Sequence, residues 1–191
     1  MQDAPASGLP DGDGLLRLAQ RSTEPGAFVF GDGSHPTTRL CAGAVDLLCR
    51  QRPGMAVLDV GTGTGILARI ARARGASFVA GTDIDAASIA ASRANAALDA
   101  SSLPIHFGDV APDAWGPRFD LVVANILAEP LIALAPRLVA AMAEGGTLLV
   151  SGFTRLQGQF LRQAFEPCGL CHDREAQDDE WLLLMFRRPP R

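Results

Sequence analysis

Leu58-Asp59-Val60-Gly61-Thr62-Gly63-Thr64-Gly65 joins an apolar run ending in a carboxylate to three glycines at alternate positions, and the helix-like stretch Ile66-Leu67-Ala68-Arg69-Ile70-Ala71 follows at once. Strand, glycine turn and helix in that order build a nucleotide site at the carboxyl edge of an open α/β sheet. Gly61, Gly63 and Gly65 let the backbone turn sharply and approach a ligand with no Cβ between them. A dinucleotide fingerprint needs G-x-G-x-x-G, and Ile66 stands where its third glycine belongs. The spacing therefore favours a ligand lying over the turn rather than a pyrophosphate on the helix N-terminus; a tight turn with no ligand is the plainer alternative.

Four further positions have residue types suited to the same ligand. Asp83 follows about twenty residues later at the end of the next apolar run, where an acidic side chain can accept both ribose hydroxyls. Asp85 is better placed to cap the helix that follows. Asp109 ends His106-Phe107-Gly108-Asp109 and could accept a hydrogen bond from an adenine amino group, or simply face water. Asn125 closes the Phe119–Ala124 run, apolar but for Asp120, at the sheet's ligand-binding edge, as a ligand contact, as a cap for the next helix, or as both. Upstream, Phe30-Gly31-Asp32-Gly33-Ser34-His35-Pro36-Thr37-Thr38 leads into a helix whose free N–H groups and hydroxyls suit an anionic group such as a carboxylate. His35 alone reads more readily as structural than as catalytic.

These residues need a framework, and the periodicity supplies one. Leu40, Ala44, Leu47 and Leu48 form a helical stripe over Thr37–Gln51, ended by Pro53-Gly54. Strands are expected at Met55–Val60, Ser77–Thr82, Ile105–Gly108, Phe119–Ala124 and Thr147–Ser151. Helices are expected at Ile66–Arg74, Ala86–Leu98, Glu129 to about Ala143, and Arg155–Phe165. Two more strands, Leu170–Arg174 and Trp181–Arg187, would close the chain, with the acidic run Glu175–Glu180 as a hairpin loop. Alternating strands and helices with short links predict a doubly wound, mostly parallel seven-stranded α/β sheet with an antiparallel C-terminal strand. Residues 1–25, rich in Asp, Gly, Pro and Ser, read as a flexible tail with a short helix at Leu15–Ala19, and residues 26–191 as one domain.

Composition limits the possible functions. The chain has 191 residues, 48% hydrophobic and 20% charged, enough for one domain with a real core. A formal net charge of −4 argues against nucleic acid as the main partner and suits a basic protein partner. The start Met1-Gln2-Asp3-Ala4-Pro5 lacks the marks of a secretory signal. The most apolar stretch, Leu121–Ala143, is interrupted by Glu129, Pro130, Pro136 and Arg137 and fits a buried strand and helix better than a membrane span. A cytoplasmic location is expected. Cys168-Gly169-Leu170-Cys171 has CxxC spacing but no second ligand pair, so reduced thiols are expected and no metal.

Taken in order, these segments resemble the class I S-adenosylmethionine-dependent methyltransferases, and more closely the ribosomal protein L11 methyltransferase family. That family's pattern reads A-F-G-T-G-x-H-x-T-T-x-L-C, D-x-G-C-G-S-G-I-L-A, G-x-D-I-D and V-A-N-I-L-A-x-P-L. The chain carries Phe30 to Cys41 for the first, Asp59 to Ala68 for the second, Gly81-Thr82-Asp83-Ile84-Asp85 for the third and Val123 to Leu131 for the fourth, with Ser151-Gly152 and Trp181 also matching. Asp32 replaces the usual Thr, and Thr62 and Thr64 replace Cys and Ser. The resemblance implies an S-adenosyl-L-methionine site through Thr38, Gly61, Asp83 and Asn125; Asp59, Gly63, Gly65, Ile84 and Asp109 are expected to belong to it as well, and Asn125 to orient the donor's methionine portion, the amine, or both. It implies N-methylation of lysine or N-terminal amines of an acceptor protein, such as a ribosomal protein, with no nucleic-acid or membrane partner. Full-size members carry an N-terminal recognition domain and a linker, whereas at most about 25 residues precede the match here. The acceptor is therefore expected to be recognised differently, or to be another protein or a small amine.

Overall fold

The computed structural model describes residues 29–99 and 103–190. The expected tail, with its helix at Leu15–Ala19, lies outside the described residues. Seven strands form one sheet: β1 (Ala56–Val60), β2 (Phe78–Thr82), β3 (Ile105–Gly108), β4 (Phe119–Asn125), β5 (Met142–Thr154), β6 (Cys171–Asp178) and β7 (Trp181–Arg187). Five helices flank it: α1 (Pro36–Gln51), α2 (Ile66–Ala73), α3 (Ala86–Ala97), α4 (Ala128–Ala141) and α5 (Gly158–Phe165). The spatial order is β3-β2-β1-β4-β5-β7-β6. β1 through β5 pair in parallel, and β7 runs antiparallel to both β5 and β6.

Side chains alternate across a strand, and each strand serves two cores at once. Leu58, Val122, Val150 and Leu184 point into a core with Leu131, Leu138, Leu161 and Phe165 from α4 and α5. Their neighbours Val57, Val123, Leu149 and Leu183 point into the opposite core with Val45, Cys49, Leu67 and Ala71 from α1 and α2. This double burial explains the near-continuous apolar runs of β1 and β4. The direction of winding reverses at β1, with β2 and β3 added on one side and β4 and β5 on the other. A crevice at the strands' carboxyl ends is expected at that switch point.

Three boundaries differ from the sequence reading. Glu175–Asp178 belongs to β6 rather than to a loop, and the hairpin turn is only Asp179-Glu180, with Asp179 at φ 56°. β6 is the sheet edge and exposes almost every side chain, so no apolar alternation marks it. Charges there also discourage pairing with a foreign strand. Helix α4 stops at Ala141 instead of about Ala143, because Met142 is fully buried and pairs with Phe119. Gly145-Gly146 therefore lies inside β5. After β5, Arg155–Gln157 forms a 3-10 turn before α5 begins at Gly158.

One buried ionic cluster locks the helix that carries the glycine turn. Asp99, just past α3, accepts from Arg69 Nε at 2.9 Å and Arg69 Nη2 at 2.6 Å, and it also pairs with Arg72. All three side chains are at most one-tenth exposed. Burial pushes the Asp99 carboxyl up, but the hydrogen bonds and charges of Arg69 and Arg72 prevail and hold it below its ordinary value. Removing one member of such a cluster strands buried charge. Asp99→Ala is expected to lower the unfolding free energy by about 3–5 kcal/mol in urea titrations. A depressed folded pKa also fixes the sign of the pH effect. The cluster's contribution is complete above the usual carboxylate range and fades as pH falls through the folded value. The wild-type advantage over Asp99→Ala should therefore shrink on acidification below about pH 4.

Candidate functional site

At the switch point the Ile126 side chain, from the loop after β4, packs against the bare backbone of Gly61 in the turn after β1. All three glycines are left-handed, with φ of 72° at Gly61, 52° at Gly63 and 80° at Gly65. A Cβ on Gly61 would lie 2.1 Å from Ile126 Cγ2, and one on Gly63 would lie 2.3 Å from the Phe30 carbonyl oxygen. Both the conformation and the space thus exclude other residues at these positions.

Hydrogen bonds hold the turn from three sides. Gly61 and Thr62 donate their N–H groups to Thr82 O at 2.8 and 3.0 Å, joining the turn to the end of β2. Thr64 N–H donates to Phe30 O at 3.1 Å, and its hydroxyl donates to Gly31 O at 2.5 Å, joining it to the segment before α1. Asn95 of α3 donates to Thr64 O at 2.9 Å. Behind the turn, buried Asp59 accepts from the Thr62 hydroxyl at 2.7 Å and from Ala68 N–H at 3.3 Å through one oxygen. Its other oxygen is buried with no hydrogen-bond partner among the described residues. Burial pushes this carboxyl up to about 7, against the two hydrogen bonds, and the nearby Asp83 charge acts in the same direction as burial. Thr62 and Thr64, departures from the family pattern, thus have defined work in the turn.

Asp83 is partly exposed and held at both ends. One oxygen accepts from Gly63 N–H and the other from Asp85 N–H, each at 3.0 Å. Each oxygen keeps a further acceptor site. Asp85 caps α3 as expected, accepting from Ala87 and Ser88 N–H at 3.2 and 2.9 Å. Ile84, between them, is 94% exposed. Asp109 is exposed just beyond β3. The neighbouring Val110 carbonyl accepts from Thr82 Oγ1 at 2.6 Å, which holds that loop beside the end of β2.

Asn125 completes the opposite wall. It is not the cap of α4: Leu127 occupies that position, and no side chain caps the helix. Asn125 Nδ2 instead lies 3.5 Å from the Thr38 hydroxyl, and Asn125 Oδ1 is buried with no hydrogen-bond partner among the described residues. The start of α1 differs from expectation. Thr37 N–H donates to His35 Nδ1 at 3.3 Å and Thr38 N–H to His35 O at 3.0 Å, so His35 is a helix cap and these N–H groups are already engaged. The buried Thr38 hydroxyl, rather than free backbone N–H, is what this segment turns toward Asn125. The His35 ring also packs edge-on between Phe30 and Trp181, with centroids 5.3 and 4.6 Å away.

The structure thus brings Gly61, Gly63 and Asp83 into one bonded unit and sets Thr38 against Asn125 across the crevice. Asp59 lies behind the turn and Asp109 at the periphery. Ile126 escaped the sequence reading, because an apolar residue after an apolar strand gives no sign that it faces a glycine. Of the two CxxC thiols, Cys168 packs partly buried against a core and Cys171 is exposed at the start of β6.

Comparison with known proteins adds descent to this geometry. Residues 22–189 match the model of the ribosomal protein L11 methyltransferase (PrmA) family. A ribosomal protein L11 methyltransferase of Thiobacillus denitrificans is 43% identical over 169 residues, covering 88% of this chain and 55% of its own length. That of Geobacter sulfurreducens is 41% identical over 177 residues, covering 92% and 55%. The chain therefore spans about half the length of these curated relatives. The crystal structure of a ribosomal protein L11 methylase from Lactobacillus delbrueckii subsp. bulgaricus is 35% identical, with a TM-score of 0.75 over 82% of this chain and 81% of that one. Magnesium protoporphyrin IX methyltransferase from Synechocystis with bound SAM shares the fold at 20% identity, with a TM-score of 0.62 over 88% of each chain. A match that includes the glycine turn, the Thr38 segment and the Asn125 strand end makes this chain a member of the ribosomal protein L11 methyltransferase family.

Proposed function

We propose that this chain forms the catalytic module of an S-adenosyl-L-methionine-dependent N-methyltransferase that acts on lysine or N-terminal amines of a protein, with ribosomal protein L11 as the acceptor. The observation that carries this reading is Asn125 at the end of β4, whose Nδ2 lies 3.5 Å from the Thr38 hydroxyl while its buried Oδ1 has no hydrogen-bond partner among the described residues, beside a turn whose glycines leave no room for a Cβ.

The residues present fit the methyl donor. Asp83, fixed by two backbone N–H groups, offers its remaining acceptor sites to ribose hydroxyls. Exposed Ile84 would offer apolar surface to the base, and Asp109 would be an acceptor for its amino group. Gly61, Gly63 and Gly65 admit the ligand against bare backbone, and Asp59 keeps the turn in shape from behind. Thr38 and Asn125 would hold the amino-acid portion. When bound, the group supplies a methyl carbon already activated on a positively charged sulfur.

The chain's remaining tasks are alignment and exclusion of water. A lysine amine has an ordinary pKa near 10.4, so presenting it neutral at pH 7 costs about 4–5 kcal/mol. Desolvation among Ile126, Leu127 and the aromatic group Phe30, His35 and Trp181 lowers that cost, as does a nearby positive charge. No strong general base is required, and Asn125 Oδ1 suffices to accept an amine N–H and orient the lone pair. Ile126 and Leu127 give no aromatic platform for a planar amide or base, which favours an aliphatic amine. The net charge of −4 suits a basic protein acceptor rather than nucleic acid. Among the described residues no helix is long and apolar enough to cross a membrane, and we place the activity in the cytoplasm.

Two outcomes are expected. Asp83→Ala should weaken S-adenosylhomocysteine binding about tenfold or more in calorimetry while the circular dichroism spectrum stays native. Asn125→Ala should cut the transfer of labelled methyl to purified ribosomal protein L11 roughly a hundredfold. A wild-type rate in Asn125→Ala removes its orienting role, and label appearing only in low-mass compounds of a cell extract defeats the protein-acceptor reading.

A further inference from the structure

Nine large apolar side chains are exposed among the described residues, and two of them, Ile132 of α4 and Phe160 of α5, line one groove. The groove lies between these helices, holds about 420 Å³ and is lined by Ala128, Glu129, Ile132, Gln157 and Phe160 among others. Leu127 and Leu156 adjoin two of these lining residues in the chain. Scattered apolar residues on a surface need no explanation, but a contiguous group around a concavity marks an interaction site.

Along the chain, the groove's α4 wall follows directly on the acceptor side of the site. Asn125 and Ile126 are followed directly by Leu127 and Ala128. Gly152 of β5 lies so close beneath Ile126 that a Cβ there would meet the Ile126 carbonyl oxygen at 2.2 Å. The chain runs on from Gly152 through Thr154, whose N–H donates to Gln157 Oε1 at 3.0 Å. The surrounding charge is mostly negative. Glu129 lines the groove, and exposed Asp179 and Glu180 adjoin its α5 end, where Arg155 N–H donates to Glu180 O at 2.8 Å. Arg155 is the basic side chain among them.

We propose that this groove docks the acceptor protein, on a segment that lays an apolar side chain against Ile132 and Phe160 while its amine enters at Asn125. This rests on the amine-methyltransferase reading. An amine-bearing segment is cationic before it reacts, which suits the carboxylates around an apolar floor. The groove so placed gives the catalytic module its own hold on the acceptor.

The test is fluorescence anisotropy with labelled ribosomal protein L11 and saturating S-adenosylhomocysteine, on the wild type, Phe160→Ser and Glu129→Lys. Both positions are exposed, and calorimetric affinity for S-adenosylhomocysteine should be unchanged in each variant. Acceptor binding should weaken at least fivefold in both, with a shallower salt dependence in Glu129→Lys. Wild-type affinity in Phe160→Ser, or no binding of the acceptor by the wild type, overturns the proposal. So does conversion of a dimer to a monomer by Phe160→Ser in sedimentation velocity, which would make the groove a contact between copies. Groove-dependent binding without methyl transfer leaves the docking site standing and removes the enzymatic reading. Transfer with unchanged KM in both variants does the reverse.

Discussion

Everything at the carboxyl edge of the sheet depends on a glycine turn packed so tightly against its neighbours that no Cβ fits on it. Gly61 abuts Ile126 and Gly63 abuts the Phe30 carbonyl, both at distances no Cβ could share. The N–H groups of the turn are used structurally: Gly61 and Thr62 on the end of β2, Gly63 on Asp83, Thr64 on the segment before α1. One short turn therefore sets the relative positions of three segments that lie far apart in the chain.

The carboxylates around this turn show how environment divides one chemistry into separate roles. Asp59 is sealed behind the turn, where burial raises its pKa and its hydrogen bonds go to Thr62 and Ala68. Asp83, half-exposed, is fixed by backbone N–H groups and keeps acceptor capacity on the open side. Asp85, exposed, spends its oxygens on the cap of α3, which holds its carboxyl below the ordinary value. Asp99 is buried like Asp59 but stays charged because two guanidinium groups meet it.

Much of the fold was legible because the strands are buried on both faces. Continuous apolar runs mark β1 and β4, and glycine or proline punctuates the helices between them. Legibility failed where burial stopped. β6 is a strand because β7 offers it a hydrogen-bonding edge, and its exposed charged residues carry no alternation to announce that. The early end of α4 was hidden for a related reason: an apolar residue such as Met142 fits a helix or a strand equally well until its pairing with Phe119 is known.

For the site, the chain by itself determined the residue types: glycines at 61, 63 and 65, carboxylates at 59, 83 and 109, Thr38 and Asn125. Their types and spacing already pointed to a nucleoside ligand and away from a dinucleotide. Tertiary structure alone decided what each one touches. It gave His35 its structural part as a cap that uses the N–H groups of α1, and it set Asn125 against Thr38, 87 residues away in sequence, with the cap of α4 left to Leu127. It also assembled the apolar groove from α4 and α5, which no local pattern displays. The physical reason is the same in each case: spacing along a chain specifies conformation and chemistry, but hydrogen-bond partners and buried surface are supplied by segments that meet only when the sheet is built.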